Sequence, residues 1–96
     1  MTDEPRLERN DAKSRYELWV GETRVGTLTI RDEPDAMVLV HTRTYPQFEG
    51  HGYGGRLVSG ALAEARRAGR KVRLECEFAQ AYVKRHPAEQ DLVLRD

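Results

Sequence analysis

The stretch that decides the fold is Glu49-Gly50-His51-Gly52-Tyr53-Gly54-Gly55-Arg56-Leu57, in which four of six consecutive residues are glycines. It separates an extended apolar segment from a segment with helical periodicity. Glycine has no β-carbon, so the backbone can adopt positive φ angles and an anion can approach the amide groups closely. A helix that begins near Gly52 offers its first unpaired N–H groups and the positive end of its dipole to such an anion. A plain loop-to-helix turn rarely needs four glycines, so the stretch predicts a phosphate-binding loop.

Two familiar phosphate loops fit these glycines less well. A P-loop closes with Gly-Lys-Ser/Thr, whereas here the last two glycines are followed by Arg56. The dinucleotide fingerprint Gly-x-Gly-x-x-Gly is present at residues 50–55, and Glu75 lies about twenty residues further on. That fingerprint directly follows its strand within repeated βαβ units, however, and here residues 45–49 form a loop before the first glycine. A dinucleotide-binding module is therefore the minority interpretation.

The stretch resembles the acyl-CoA loop of the GNAT superfamily of acetyltransferases, whose motif Gln/Arg-x-x-Gly-x-Gly/Ala opens a helix over the CoA pyrophosphate. Two registers are possible. Residues 47–52 satisfy every letter, but residues 49–54 put Leu57 and Val58 where such helices carry their first core residues. We adopt the second register. It departs from the family at Glu49, where a carboxylate near a pyrophosphate should weaken binding.

A second likeness lies in residues 76–87, which read Cys-x-Phe-x-x-x-Tyr-x-x-x-His-Pro and are followed by Asp-Leu-Val at 91–93. This pattern, with His41-Thr42 at the end of a predicted strand, is similar to the small single-domain GNAT-like acetyltransferases of the YjdJ type. Together with the glycine loop, the resemblance covers roughly residues 15 to 93. It implies an α/β fold with a mixed sheet and a splayed pair of parallel strands that receives the pantetheine arm.

The resemblance also implies the ligands and the site. Acetyl-CoA is the expected co-substrate, and the acceptor is an amine that the sequence does not identify; a CoA-binding or sensing module without turnover is the alternative. The implied cofactor-binding residues are Thr44, Tyr45, Gly50, His51, Gly52, Tyr53, Gly54 and Gly55. The implied catalytic residues are Cys76, Tyr82 and His41. Ordinary GNAT enzymes have extra N-terminal helices beside the acceptor site, and none is predicted before Tyr16, so an open, shallow acceptor site is expected.

Each catalytic candidate also has a purely structural interpretation. In GNAT enzymes a tyrosine at the position of Tyr82 donates to the departing CoA sulfur, although its ring could simply pack. Cys76 is placed at a strand end facing the thioester, where a lone cysteine could equally be a small buried hydrophobe. Glu75 and Glu77 beside it disfavour a thiolate, so direct attack by the amine is preferred over a covalent route. We expect His41 to stack in the core rather than act as a general base.

Composition excludes several other classes. The 96 residues suffice for one domain, and the 16 basic residues balance the 16 acidic ones, so neither nucleic acid nor an anionic membrane is an expected partner. The histidines and the single cysteine lack the spacing of metal-ligand pairs, so no metal site is expected. A single cysteine and the absence of signal-peptide character near Met1 indicate a reducing cytoplasm. A monomer is expected.

The predicted order of elements is β-β-β-α-β-α. Residues 1–13 are polar and are expected to be a loose tail, with one domain over 14–96. The extended segments are predicted at 15–20, 25–30, 37–42, 71–75 and 92–94, and the helices at 54–68 and 79–85. Gly60 in the middle of the first helix predicts a close contact with the sheet, and His86 before Pro87 is expected to cap the second helix.

Overall fold

The computed structural model describes residues 4–94. They form a five-stranded mixed sheet in the order β1-β2-β3-β4-β5, with two α-helices. The elements are β1 (Arg6–Asn10), β2 (Arg15–Val20), β3 (Thr23–Asp32), β4 (Ala36–Thr44), α1 (Tyr53–Arg67), β5 (Lys71–Leu74) and α2 (Glu77–Arg85). Short 3-10 turns lie at Asp11–Lys13, Pro46–Phe48 and Pro87–Leu92. The predicted α/β class with a mixed sheet is confirmed.

β1 lies in the segment that the sequence analysis assigned to a loose tail. Arg6–Asn10 pairs antiparallel with β2 along its whole length, and Leu7 packs against the hydrophobic core. A β-carbon on Gly60 would stand only 2.7 Å from Cδ2 of Leu7, so β1 is seated on the middle of α1. The prediction of a loose tail is therefore wrong for residues 6–13, and one strand precedes the expected order. Residues 1–3 lie outside the described part of the chain.

The next three strands form the predicted antiparallel arrangement. β2 and β3 make a hairpin whose turn includes Gly21 at a φ of 59°, and β3 and β4 pair across the turn at residues 33–35. β5 then joins β4 in parallel, which a crossover through α1 makes possible. The predicted strand at 37–42 is confirmed within β4, which lies between β3 and β5.

α1 follows the predicted helix closely. Its apolar positions form one buried stripe: Leu57, Val58, Ala61, Leu62 and Ala65. It ends in a Schellman motif, in which the N–H of Arg70 donates to the carbonyl oxygen of Ala65 at 2.9 Å and Gly69 takes a φ of 68°. The predicted stop at Gly69 is confirmed.

Both helices cover the same face of the sheet. Side chains of α1 and α2 share one core cluster with alternate residues of the strands, such as Leu28 of β3 and Leu39 of β4. The opposite face is covered by charged side chains instead of a helix. Val38 lies between Arg31 and Arg73 in the strand register and is fully buried. The layout is therefore two layers, with one face of the sheet left uncovered by helices in residues 4–94.

The C-terminal elements agree with the sequence only in part. α2 contains the predicted helix at 79–85 and ends at Arg85. His86 is its C-cap residue, as expected, and its N–H donates to the carbonyl oxygen of Val83 at 3.1 Å. The predicted edge strand at 92–94 is wrong, because Val93 makes only an isolated bridge to Val72 of β5. None of the helices in residues 4–94 has the length and apolarity of a membrane span.

Candidate active site

The site is formed where two parallel strands part. β4 and β5 pair only from Ala36 opposite Lys71 to Leu39 opposite Leu74. Beyond this point the chain turns away from the sheet, because the N–H groups of both Glu75 and Cys76 donate to the carbonyl oxygen of Leu39, at 2.9 and 3.0 Å. β4 continues through residues 40–44, paired with β3 alone. One edge of that segment therefore has no strand beside it among residues 4–94.

A β-bulge determines which backbone groups face this open edge. The register between β3 and β4 shifts at Val40, which has no partner residue on β3. Beyond the bulge, the N–H of Tyr45 donates to the carbonyl oxygen of Val25 on β3 at 3.1 Å. Successive residues of a strand point their backbone groups to opposite sides, so those of Thr44 and Thr42 point to the gap. An extended chain that carries amide groups could pair there like an added strand.

A cavity of about 340 Å³ opens at the parting of the strands. Its lining residues are Val40, His41, Thr42, Glu75, Cys76, Glu77 and Phe78. Oγ1 of Thr42 and Sγ of Cys76 are 3.2 Å apart, so a hydrogen bond joins the two segments where they diverge after the pairing of β4 with β5. Cys76 is buried and is the N-cap residue of α2. The structure thus brings the predicted Cys76 to the wall of the cavity and fixes its thiol there.

The acidic neighbours of Cys76 differ in their surroundings. Oε2 of Glu75 lies 2.6 Å from Nη2 of Arg31, and the hydrogen bond from Arg31 holds the pKa of Glu75 below its ordinary value. Arg31 is therefore the charge partner of Glu75. The positive end of the helix dipole at the start of α2 favours negatively charged groups nearby, such as Glu77. Glu77, in the first turn of α2, is exposed at the cavity. The carboxylate of Glu75 is therefore paired with Arg31, and that of Glu77 is open to the cavity.

His41 does not lie where the sequence analysis expects it. The residue is exposed and lines the cavity, so the prediction that it stacks in the core is wrong. It pairs with Thr29 immediately after the bulge at Val40, on the part of β4 that has no strand on its other side. Residues 36–39 of the same strand are buried, because β5 pairs with them and charged side chains cover the sheet face opposite the helices. The imidazole is therefore open to a ligand in the cavity.

The glycine loop has the conformation that an anion site needs. Gly50 and Gly52 have φ angles of 87° and 76°, and a β-carbon on either would meet no atom within 4 Å. Gly52 is the N-cap residue of α1 and no side chain caps this end of the helix. The N–H of Arg56 donates to the carbonyl oxygen of Gly52 at 3.2 Å, so the N–H groups of the three residues between them have no partner in the helix. The rings of His51 and Tyr53 stack beside this end, with centroids 5.3 Å apart.

The last two glycines lie inside α1 and face α2. A β-carbon on Gly54 would stand 2.8 Å from Cζ of Phe78, so the ring packs on this glycine and would have to move for any larger residue, a contact that the sequence analysis missed. A β-carbon on Gly55 would lie at an ordinary 3.8 Å from Cε2 of Tyr82. Tyr82 stacks on His86 with ring centroids 4.0 Å apart and is not among the residues that line the cavity. It lies one helical turn beyond Phe78, beside the start of α1.

Of the two predicted binding residues at the end of β4, only Thr44 turns its backbone to the open edge. Tyr45 uses its N–H to bond Val25, its carbonyl oxygen to accept from Phe48 at 2.8 Å, and its hydroxyl to accept from Nε of Arg24 at 2.8 Å. Its backbone and hydroxyl thus tie β3 to the turn at Pro46–Phe48, which precedes the glycine loop. No three His, Cys, Asp or Glu side chains within residues 4–94 come together as possible metal ligands.

A mixed sheet whose parallel strands part beside a glycine-rich helix start defines a small acetyltransferase of the GNAT class. The chain belongs to the family of GCN5-related N-acetyltransferases, whose family model matches residues 15–92. Its fold is similar to the solution structure of a GCN5-like protein from Staphylococcus aureus, with a TM-score of 0.71 and 20% identity over 93% of this chain and 87% of that chain. The comparison with curated proteins finds no match. The resemblance to GNAT enzymes is confirmed, and the YjdJ subtype stays a prediction.

Proposed function

We propose that this protein transfers the acetyl group of acetyl-CoA directly to an amine. The observation that carries the proposal is the open edge of β4 at residues 40–44, which runs between the glycine-rich start of α1 and the cavity at Cys76. These three features suit the three parts of acetyl-CoA: a pyrophosphate, an amide-containing arm and a thioester. An amine acceptor and acetyl-CoA are the only partners proposed, because the balanced charge gives no field that would attract nucleic acid or an anionic membrane. The single cysteine supports a cytoplasmic location, and we propose a monomer.

The residues suit acetyl-CoA in chemical type as well as in order. The positive φ angles of Gly50 and Gly52 and the unpaired N–H groups that begin α1 suit the two phosphates. The backbone groups of Thr44 and Thr42, which point away from β3, suit the amides of the pantetheine arm. The thioester, which supplies an activated acetyl group, would then face the cavity that Cys76 and His41 line.

The reaction needs little beyond positioning and two proton movements. The amine nitrogen attacks the thioester carbonyl carbon, the carbon–sulfur bond breaks, and the sulfur leaves as a thiolate that is protonated. We assign acceptance of the amine proton to His41, because its ring is exposed at the cavity. We assign protonation of the sulfur to Tyr82 from the resemblance to GNAT enzymes alone, because its ring lies beside Gly55 of α1 and does not line the cavity.

Cys76 is assigned to the wall of the site and not to a covalent step. Its thiol is buried and hydrogen-bonded to Thr42, which fixes one side of the cavity. An acyl-cysteine intermediate is the alternative route, because a thiol at the wall of the cavity can accept an acyl group. Mass spectrometry of the protein during turnover separates the two routes, because only the covalent route leaves an acetyl group on Cys76.

The proposal is tested by mixing the protein with acetyl-CoA and a panel of amines that includes small amines and lysine-containing peptides. Free thiol should appear only when a suitable amine is present, together with one equivalent of acetylated amine. Binding of acetyl-CoA without thiol release across such a panel would instead favour a CoA-binding module without turnover. Failure to bind acetyl-CoA at all would contradict the proposal outright.

A further inference from the structure

Phe78 is unusual among the apolar residues of this protein. Within residues 4–94 it is the only exposed large hydrophobic side chain, with 42% of its surface open to solvent. It stands in the first turn of α2, two residues after Cys76. An apolar group that covers an exposed aromatic ring removes apolar surface from water, which lowers the free energy of the complex.

The ring connects the two halves of the candidate site. It lines the cavity together with Cys76 and His41, and its far edge meets the first turn of α1 at Gly54. Three ring atoms lie 2.8 to 3.3 Å from the point that a β-carbon on Gly54 would occupy. Because Gly54 has no side chain, the ring reaches the backbone of α1. Phe78 therefore stands between the helix start and the thiol of Cys76.

We propose that Phe78 is the apolar contact on which the pantetheine arm of CoA lies, and that Gly54 is a glycine in order to seat this ring. The inference rests on the proposed function. An arm that pairs its amides with Thr44 and Thr42 of β4 runs from the start of α1 to the cavity, and so passes the ring. Its methyl and methylene groups then cover the exposed side of Phe78.

The consequence differs from that of a catalytic group. The ring would contact the arm in the ground state and in the transition state alike, so it contributes uniform binding. Phe78→Ala should therefore weaken CoA and acetyl-CoA equally, by roughly tenfold for an aromatic contact of this size. The same change should raise KM and leave kcat nearly unchanged.

A purely structural role for Phe78 predicts something else. In that case the ring only joins α2 to α1, and its loss lowers the free energy of unfolding without a selective effect on the arm. Gly54→Ala tests the seat of the ring, because a methyl group there would lie 2.8 Å from Cζ of Phe78 and the ring would have to move.

The experiment is isothermal titration of the full chain and its variants with CoA and with adenosine 3′,5′-bisphosphate, which has phosphates but no pantetheine arm. We expect Phe78→Ala to weaken CoA about tenfold and to leave the bisphosphate unaffected, and Gly54→Ala to weaken CoA in the same direction. Urea unfolding of each variant confirms that it is folded, and Phe78→Leu provides a milder change if alanine unfolds the chain.

Three results would overturn the inference. One is unchanged CoA affinity in folded Phe78→Ala or Phe78→Leu. Another is an equal loss of CoA and bisphosphate affinity, which would place the effect of Phe78 on the phosphate loop. The third is no binding of CoA by the wild type. This result would overturn the proposed function itself, and the titration of the wild type alone distinguishes it from a failure of the inference about Phe78.

Discussion

Leu7 of β1 packs directly on Gly60 of α1, so any side chain at position 60 would have to displace Leu7. Cδ2 of Leu7 lies 2.7 Å from the point that a β-carbon on Gly60 would occupy, and its Cγ lies 3.5 Å from the same point. β1 is thereby pressed onto the middle of α1. The contact explains why a residue that costs a helix on the order of 1 kcal/mol relative to alanine stands in its interior.

Gly60→Ala should not give the stabilisation of about 1 kcal/mol that alanine normally gives inside a helix. The added methyl group displaces Leu7, and the lost packing offsets the gain in helix propensity. In the Leu7→Ala background the same change should stabilise, because the obstacle is gone. Urea unfolding of the four proteins gives a coupling free energy, expected at about 1 kcal/mol or more for residues in direct contact. Equal stabilisation by Gly60→Ala in both backgrounds would contradict the account.

The pair Leu7 and Gly60 also shows which part of the fold local sequence patterns do not predict. The helix α1 and the strands from β2 onward were predictable because their apolar residues repeat with the period of each element. Gly60 also signalled a close contact correctly. Its partner was missed, because Arg6–Asn10 contains Leu7 as its only apolar residue and so shows no alternation. β1 is defined by pairing with β2, a long-range interaction that local periodicity does not record.

The candidate site was predictable to a similar degree. The glycine loop was identified from its residues and Cys76 from the resemblance to GNAT-like acetyltransferases, and both border the open edge of β4. The exposure of His41 was not predicted. The apolar run at 37–42 gives the same sequence pattern whether one face of the strand is covered or both. The bulge at Val40 and the role of Phe78 against Gly54 arise from the packing of separate elements. No single stretch of sequence contains that information.

Glu17 should be a major determinant of stability on the face without helices. Its carboxylate is buried and accepts hydrogen bonds from Arg15 at 2.9 Å, Asn10 at 3.1 Å and Trp19 at 3.3 Å. Glu17→Gln should lower the free energy of unfolding by about 1 to 3 kcal/mol, because buried donors then lose a charged acceptor. Glu8→Gln is the matched control, because Glu8 is exposed and paired with Arg6 at 2.8 Å. This change should lower the free energy of unfolding by less than about 1 kcal/mol. Equal effects at the two positions would contradict this assignment.

The same carboxylate predicts a pH dependence. Burial raises the pKa of Glu17, but hydrogen bonds from Arg15 and Asn10 outweigh it and hold the pKa below the ordinary value of 4.5. A depressed carboxyl pKa gives stability that is present above 4.5 and is lost as the pH falls through the folded-state value. The free energy of unfolding of the wild type should therefore fall more steeply below pH 4.5 than that of Glu17→Gln. Parallel curves for the two proteins would show that Glu17 is not the titrating group.

Glu49 is the position at which the phosphate loop departs from its family. It is exposed and directly precedes Gly50, so Glu49→Arg should tighten CoA binding by removing a repulsive charge and adding an attractive one. The gain should shrink as salt rises, since exposed charges are screened beyond about 10 Å at 0.1 M. Titration calorimetry at low and high salt measures this. Unchanged affinity at low salt would point to the register with Gln47 instead.

Cys76 and Tyr82 should respond differently to substitution. Cys76→Ala should retain substantial turnover, because direct attack needs no thiol, whereas Tyr82→Phe should bind CoA normally and lose about 10²- to 10⁴-fold in kcat, as for one positioned proton donor. Thiol release assays and calorimetry on both variants provide the comparison. An acetyl-thioester on Cys76 that is chased into product by amine would establish the covalent route and refute the direct one.

The central claim is that acetyl-CoA lies along the open edge of β4 with its phosphates at the start of α1. Titration of the isotope-labelled protein with CoA, followed by amide nuclear magnetic resonance, tests this most directly. The account predicts chemical shift changes at Gly50 to Gly55, at Thr44 and Thr42, and at Cys76 and Tyr82, with little change in β1. A nicotinamide dinucleotide should leave the same amides in place. Shifts with the dinucleotide and none with CoA would contradict the account.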